Sequence, residues 1–396
     1  MLSVEQALEK LLSAVQPVTD VEQVGTMHAA GRVLAIEVVS SIDVPPLDNS
    51  QMDGYAVRNL DVPAVPTTLR ISQRIAAGQV GGPLEPGTAA RIFTGAPIPA
   101  GADSVIMQER CEAQGDKVTF NEQPVRGAAI RTAGIDVERG NTVLRAGVRL
   151  KPQHCALAAS IGAARLTVFR RLRVATFFTG DELVMPGESL PPGRIYNSNR
   201  FMLRGLLESL GCEVDDLGIV PDNLQSTRDA LTSAAMRADL IISSGGVSVG
   251  EEDHVKPAVQ AEGTLDLWQI AMKPGKPLAF GHVRGVPFIG LPGNPVSSFV
   301  TFLLFARPFI LQRQGRHDPM RTLLLRADFD WTELSRRREF MRARMNERNG
   351  LDIFENQNSS VLTSVVWADG LVDNPAEHQI RAGDMVRFLP FSELLS

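Results

Sequence analysis

Apolar positions change their spacing several times along the chain, and each change marks a different architecture. Between Ser3 and Ala14 the residues Val4, Ala7, Leu8, Leu11 and Leu12 recur at helical spacing. They predict an amphipathic helix with Ser3 as its N-cap. From Thr67 to Leu150 helical periodicity is lost. Short β-like runs such as Val118 to Phe120, Ala128 to Arg131 and Thr142 to Leu144 alternate with glycine and proline, and Gly81 to Glu109 carries a turn signal every few residues. This is the pattern of a β-rich domain. Lys151 to Ile161 reads as helix again. At Arg173 the grammar becomes strand, helix, strand: RVATFF is a strand, Asn199 to Leu210 a helix capped by Asn197 or Ser198 and closed by Gly211. Glu213 to Val220 is the next strand, Ser226 to Arg237 a helix, and Asp239 to Ser243 a third strand. Leu240, Ile241 and Ile242 form a continuous apolar run, as in a strand covered on both faces of a parallel sheet. Strands alternating with helices of about a dozen residues predict βαβ units. After Gln314 and Gly315, the stretches Thr322 to Asp328, Arg338 to Met345, Leu351 to Phe354 and the final GDMVRFLP predict a compact C-terminal β domain.

A chain of 396 residues has room for about two to four domains, and 44% apolar residues suffice for several cores. The net charge of −5 argues against a nucleic-acid surface. Three cysteines, Cys111, Cys155 and Cys212, lie far apart and form no metal or redox spacing, as befits a reducing compartment. Glu5 and Glu9 occupy the place where a secretory signal needs a basic and then an apolar stretch. The most apolar run, Val296 to Leu311, is interrupted by Arg307 and Pro308. A soluble, cytoplasmic protein without a membrane span is expected.

Candidate chemistry lies mostly just after strands. The strand at Leu240 runs into SSGGVSVGEED, in which Gly245, Gly246 and Gly250 surround Ser248 and three acids follow, Glu251, Glu252 and Asp253. Paired glycines let backbone N–H groups approach an anion. Two carboxylates 4 Å apart repel by about 4 kcal/mol at an effective dielectric near 20, whereas a helix start returns only about 1 kcal/mol. A phosphate cradle beside several acids therefore calls for a cation, and Mg²⁺ held by one or two carboxylates plus substrate phosphates is the usual solution. Read alone, the same letters also describe a glycine turn ahead of a solvated acidic helix start. Ligands of such sheets bind at the carboxyl ends of the strands, and Asp181, Glu182, Asp222, Glu251 and Asp253 would share one such rim, which favours the metal–phosphate reading.

In KPGKP, Lys273 and Lys276 flank a proline-rich turn. In LPGNPVSS, Asn294 is a candidate N-cap with Pro295 at the first helical position, leaving Ser297 and Ser298 at an open helix start. Such a start beside Lys276 would hold a small tetrahedral oxyanion. Further polar loops are PPLDNSQMDGYAV, Thr94 with Gly95, and Arg126, Arg131 and Asp136 around a glycine turn. Arg342 and Arg344 alternate with apolar neighbours and predict a basic strand face; Gln357 to Ser360 is a polar loop.

Taken together, PPLDNSQMDGYAV, RIFTGAPIPAGAD, TGDEL, SSGGVSVGEED, KPGKP and LPGNPVSS, in that order, make the chain resemble the MoeA family, the molybdopterin molybdenumtransferases related to the gephyrin E domain. The resemblance spans nearly all of the chain. It implies a multidomain α/β protein with a central doubly wound, molybdopterin-binding-like α/β domain, a β-rich insertion and a C-terminal β-barrel-like domain. Implied boundaries are 1–39 plus 141–172 for the first domain, 40–140 for the insertion, 173–317 for the α/β domain and 318–396 for the last. It also implies a homodimer with a shared active site, and a reaction in which molybdate and adenylyl-molybdopterin, with Mg²⁺, give molybdenum cofactor and AMP. Partners then extend to other molybdenum-cofactor biosynthesis enzymes and apo-molybdoenzymes, with neither nucleic acid nor membrane.

Matched motif by motif, the residues needed for catalysis are Asp53, Thr94, Asp136, Glu182, Asp222, Asp253 and Lys273, with Glu182 and Asp253 as metal ligands. Cofactor-binding positions are Gly180, Asp181, Ser198, Gly245, Gly246, Ser248, Gly250, Pro292 and Pro295; Lys276, Ser297, Arg342 and Ser359 match the molybdate side. Acids at strand ends would hold Mg²⁺ and polarise the phosphoanhydride, and Asp53, Thr94 and Asp136 would bind pterin or position water. The chain departs from the family pattern at Asn197, where Asp is usual, at Ile135 within the usual GED triplet, at His254 in place of a common Tyr, and at Gln269, where many members carry Lys. Two other functions fit parts of the pattern: a molybdopterin adenylyltransferase, disfavoured by the additional β domains, and a non-enzymatic assembly scaffold, disfavoured by the acids retained at the strand ends.

Overall fold

The computed structural model describes residues 1–246, 254–316 and 320–395, apart from the side chain of Leu267. The chain packs as two units, one made of Met1–Glu22, Gly31–Ala35 and Val168–Ser396, the other of Gln23–Ala30 and Ile36–Thr167.

The larger unit is built on a six-stranded sheet. Its order is Glu213–Val220, Arg173–Thr179, Leu240–Ser244, Val286–Leu291, Pro277–Val283, Gly263–Gln269. The first four strands are parallel, Pro277–Val283 runs against them, and Gly263–Gln269 pairs antiparallel with it, so the expected βαβ pattern ends in two antiparallel pairings. Val174 and Phe178 face one core with Leu203, Leu207 and Phe305, while Ala175 and Phe177 face a second with Leu231, Val259 and Phe288. Cover on both faces explains why Leu240–Ile242 needs no polar alternation. The helix Ser198–Ser209 is capped by Asn197, whose Oδ1 accepts from Arg200 N. The N-terminal helix Val4–Ser13 begins with the expected Ser3 cap, reinforced by Gln6 in a reciprocal capping box.

The stretch Pro295–Arg313 is one helix, the only one among the described residues long and apolar enough to cross a membrane, but 83% of its apolar window is buried within the protein. Phe302–Ala306 form a π turn inside it. Pro308 lacks an N–H and would clash with the carbonyl four residues back in a regular helix; the wider turn relieves this. Arg307 is buried and donates from Nη2 to the Glu393 carbonyl at 2.8 Å.

At the C-terminal end, Arg338–Met345, Gly350–Ile353, Leu323–Ala327, Met385–Pro390 and Gly370–Asn374 pair in that order, and the last pairs back to the first, which closes a five-stranded barrel. Met341, Ala343, Leu351, Val372 and Phe388 fill it. A short strand, Met272–Lys273, joins Arg338 and Glu339 from outside.

The smaller unit holds a second six-stranded sheet, ordered Ser104–Met107, Gly54–Val57, Thr88–Ile92, Thr67–Ile75, Lys117–Phe120, Cys111–Gln114. The strand expected at Ala128 to Arg131 is shorter than its letters suggest. Only Ile130–Arg131 pairs, with Asn49–Ser50, because Ala129 turns the backbone into the left-handed region at φ 53°.

Candidate functional site

Because Glu213–Val220, Arg173–Thr179, Leu240–Ser244 and Val286–Leu291 are parallel, their carboxyl ends form one edge. The loops leaving it carry Gly180, Asp181 and Glu182, then Asp222, then Gly245 and Gly246, then Pro292 to Pro295. A Cβ on Gly245 would stand 2.6 Å from the Thr179 carbonyl, so only glycine lets the third strand end press against the TGDEL turn. Glu182 is exposed, with its carboxylate folded back beside Gly180. Asn199 closes the same edge: Nδ2 donates to Ser244 Oγ at 2.9 Å and to the Gly293 carbonyl at 2.7 Å, and Ser244 Oγ donates to the Pro292 carbonyl at 3.1 Å. Ser198 is half-buried one residue before it. Thr179 Oγ1 is buried with no partner among the described residues. Ser248, Gly250, Glu251, Glu252 and Asp253 lie outside the described residues, and with them one of the two expected metal ligands.

The KPGKP turn packs on the start of the long helix. A Cβ on Gly275, at φ 98°, would meet Thr301 Oγ1 at 2.4 Å and the Ser297 carbonyl at 3.6 Å, so this turn reaches the helix only through glycine. Lys276 is exposed, whereas Lys273 is tied by a 3.0 Å ion pair to Glu339. Asn294 is the N-cap residue but makes no capping hydrogen bond with its side chain; its Nδ2 donates to Ser359 Oγ at 3.1 Å, and Val296 N donates to the Ser359 carbonyl at 3.0 Å. Pro295 sits at the first turn and Ser297 is buried just behind it. The structure thus brings the KPGKP turn, Ser297 and Ser359 to one helix start, but Ser297 and Ser298 are buried and Val296 N donates to the Ser359 carbonyl, so this start is more covered than the open end expected from the sequence.

Arg342 corrects the expected basic strand face. It is 1% exposed, with Nε donating to Ser364 Oγ at 3.0 Å and Nη2 to the Asn358 carbonyl at 3.3 Å. Gln357 grips its backbone through both amide atoms. Burial pushes its guanidinium down to about 10. Arg344 is exposed and lies over the Trp367 ring at 4.6 Å, so of the two only Arg342 leaves the expected open face.

In the smaller unit, Asp53 Oδ1 accepts from both Thr94 N and Thr94 Oγ1, each at 2.8 Å. These two bonds, the backbone one first, hold the Asp53 carboxyl below its ordinary value. The FTGAP loop is stitched to PPLDNS by Gly95 N to the Ser50 carbonyl, Ser50 N to the Ala96 carbonyl and Ile98 N to the Asp48 carbonyl. The Asp136 loop is stitched to the same segment: Gly134 N donates to the Pro45 carbonyl, Asp136 N to the Val44 carbonyl, and Ala133 N to Asp48 Oδ1. Asp136 and Ile135 are exposed at its tip. Thus Asp53, Thr94 and Asp136 ride on one interlocked set of loops, and the turn formers Asp48, Asn49 and Ser50 serve as its scaffold.

Of the departures, Asn197 is 2% exposed and spent on capping, His254 begins the helix Val255–Glu262 without a capping bond, and Gln269 is exposed, paired across the ladder with Pro277, the neighbour of Lys276. Two site-building residues went unnoticed in the sequence, Asn199 and Glu339. Both are polar at core-facing positions, Asn199 in register with Leu203 and Leu206 and Glu339 with Met341 and Ala343. That mismatch was the available signal.

Residues 2–162 match the family model for the MoeA N-terminal region (domain I and II), 175–312 that for a probable molybdopterin binding domain, and 325–391 that for the MoeA C-terminal region (domain IV). A molybdopterin molybdenumtransferase from Haemophilus influenzae is 45% identical over 80% of this chain and 78% of its own length. Molybdopterin molybdenumtransferase 2 from Mycobacterium tuberculosis is 37% identical over 94% of each chain. The crystal structure of a molybdopterin biosynthesis MoeA protein from Pyrococcus horikoshii superposes with a TM-score of 0.86 at 29% identity, covering 98% of this chain and 99% of that one.

Proposed function

The chain belongs to the MoeA family, the molybdopterin molybdenumtransferases of molybdenum-cofactor biosynthesis, and from that premise we propose that it joins molybdate to adenylyl-molybdopterin with Mg²⁺, releasing AMP. The observation that carries this reading is the convergence of the KPGKP turn, Ser297 and Ser359 on one helix start. This convergence would serve as an oxyanion end, and it lies in the same unit as the carboxylate-bearing sheet edge. On this reading Lys276 and the helix start bind molybdate, while the buried Arg342 holds the Ser359 loop through the Asn358 carbonyl and does not itself reach the anion; Gly180, Asp181, Ser198, Gly245, Gly246, Ser248, Gly250, Pro292 and Pro295 line the cofactor. Asp53, Thr94 and Asp136 bind the pterin or position water.

Among the described residues no three His, Cys, Asp or Glu side chains come together as a metal cluster. Mg²⁺ does not require one, since it keeps several waters and takes one or two carboxylates plus substrate phosphates. Glu182 is open for that duty, with Asp253 as the second ligand, and both are hard oxygen donors of the right class. When bound, the cation would neutralise charge on the phosphoanhydride. The protein's own contribution is to orient: Lys273 and Asp222 at the edge fix the phosphate end, and the glycines admit it close to the backbone.

We further propose a homodimer whose site is shared between the α/β domain of one subunit and the insertion of the other, in the four-domain division 1–39 plus 141–172, 40–140, 173–317 and 318–396, working in the cytoplasm. The test is to supply purified protein with adenylyl-molybdopterin and molybdate, with Mg²⁺ or with a chelator, and to follow AMP. AMP release that stops with chelator and in Glu182→Gln supports the reading; undiminished release in both refutes the metal assignment.

A further inference from the structure

The two lysines of KPGKP are held differently. Lys276 is exposed and has no side-chain partner among the described residues. Lys273 Nζ lies 3.0 Å from Glu339 Oε1, and Glu339 is 2% exposed. Behind the carboxylate, Trp331 Nε1 donates to Glu339 Oε2 at 2.9 Å. Lys273 and Glu339 are also direct partners in the parallel ladder between Met272–Lys273 and Arg338–Met345. The ladder therefore fixes the lysine backbone and the ion pair fixes the end of its side chain.

The neighbouring arginines do not compete for this carboxylate. Arg338 is spent on Asp373 and Glu5, and Arg337 donates to the Met272 carbonyl. An ion pair of this kind gains little stability, since the cost of burying the carboxylate roughly cancels the attraction. What it does is remove freedom from a side chain with four rotatable bonds. Lys273 remains 36% exposed, so its ammonium keeps hydrogens to present outward.

We propose that Glu339, braced by Trp331, is a positioning residue that aims Lys273 at an anionic phosphate oxygen of the substrate, leaving Lys276 to attract the anion. The proposal rests on the molybdenumtransferase reading above. Because Glu339 is negative, it opposes anion binding while improving the geometry of the reacting complex, and removing its charge should move the two kinetic constants apart. Glu339→Gln retains an acceptor for the Trp331 indole.

The experiment measures AMP release by Glu339→Gln, Lys273→Met and the double variant, each with its thermal midpoint. The expected result is a kcat about tenfold lower in Glu339→Gln with KM for adenylyl-molybdopterin unchanged or lower, and a double variant no slower than Lys273→Met alone. A kcat within twofold of the parent, or losses that multiply in the double variant, overturns the proposal. Should Glu339→Gln fail to fold, Trp331→Phe tests the same brace: a severalfold lower kcat at constant KM is expected, and an unchanged kcat overturns it. A parent protein that releases no AMP would instead refute the transferase reading itself.

Discussion

Asp53 and Thr94, 41 residues apart in sequence, meet through a single carboxylate oxygen that accepts both the backbone N–H and the hydroxyl of the threonine at 2.8 Å. Both bonds favour the charged form, which is why the Asp53 carboxyl titrates below its ordinary value. Thr94→Val removes the hydroxyl and leaves the backbone donor. The Asp53 titration, followed by NMR of its carboxyl carbon, is expected to move up in this variant, and the acid limb of the AMP-release profile should move up with it. An unmoved Asp53 titration would show that the hydroxyl contributes nothing.

Asn199 joins two strand-end loops through Ser244 and Gly293. Asn199→Ala leaves the Gly293 carbonyl and the Ser244 hydroxyl without this donor in a dry place, a cost of about 1–3 kcal/mol. The thermal midpoint is expected to fall by several degrees and AMP release to fall more than the midpoint accounts for, because the loops that carry the site lose their common tie. Equal activity at a temperature where both proteins are folded would assign Asn199 to stability alone.

Asp239 receives Arg170 and Arg173 at the sheet's opposite edge, before the strand Leu240–Ser244. Burial pushes its carboxyl up, but the arginine hydrogen bonds outweigh it and hold the group at about 2. A folded value below the unfolded one contributes stability above the unfolded pKa, and that contribution is lost as pH falls towards 2. Asp239→Asn should therefore be destabilised near neutral pH by about 2–3 kcal/mol and lose less further stability between pH 4 and pH 2 than the parent. Urea unfolding at several pH values checks this; parallel stability curves would contradict it.

Much of the fold was legible where local signals and tertiary cover agree. Glu213–Val220 was readable to the residue because Gly211 precedes it and Pro221 follows. Leu240–Ile242 was readable because a strand covered on both faces needs no alternation. Arg342 was misread because RAR alternation looks like a solvated face, and its cover, Gln357, Asn358 and Ser364, comes from later in the chain. The pairing of Met272–Lys273 with the barrel was invisible for a similar reason: two residues carry no periodicity, and the partner strand begins 65 positions on. The motifs marked out the loops, but not the polar residues that tie to them, since Asn199 and Glu339 meet Ser244 and Lys273, partners distant in sequence.

If the helix start beside Lys276 and the carboxylate edge serve one reaction, molybdate is consumed as AMP appears. The direct measurement is AMP formed and molybdenum bound per protein, from adenylyl-molybdopterin and Mg²⁺, as molybdate is titrated from zero. AMP release is expected to rise with molybdate, saturate, and match the molybdenum incorporated one for one, with saturation needing more molybdate in Lys276→Met. Release of AMP that ignores molybdate, or molybdenum bound without any AMP, would contradict this coupling.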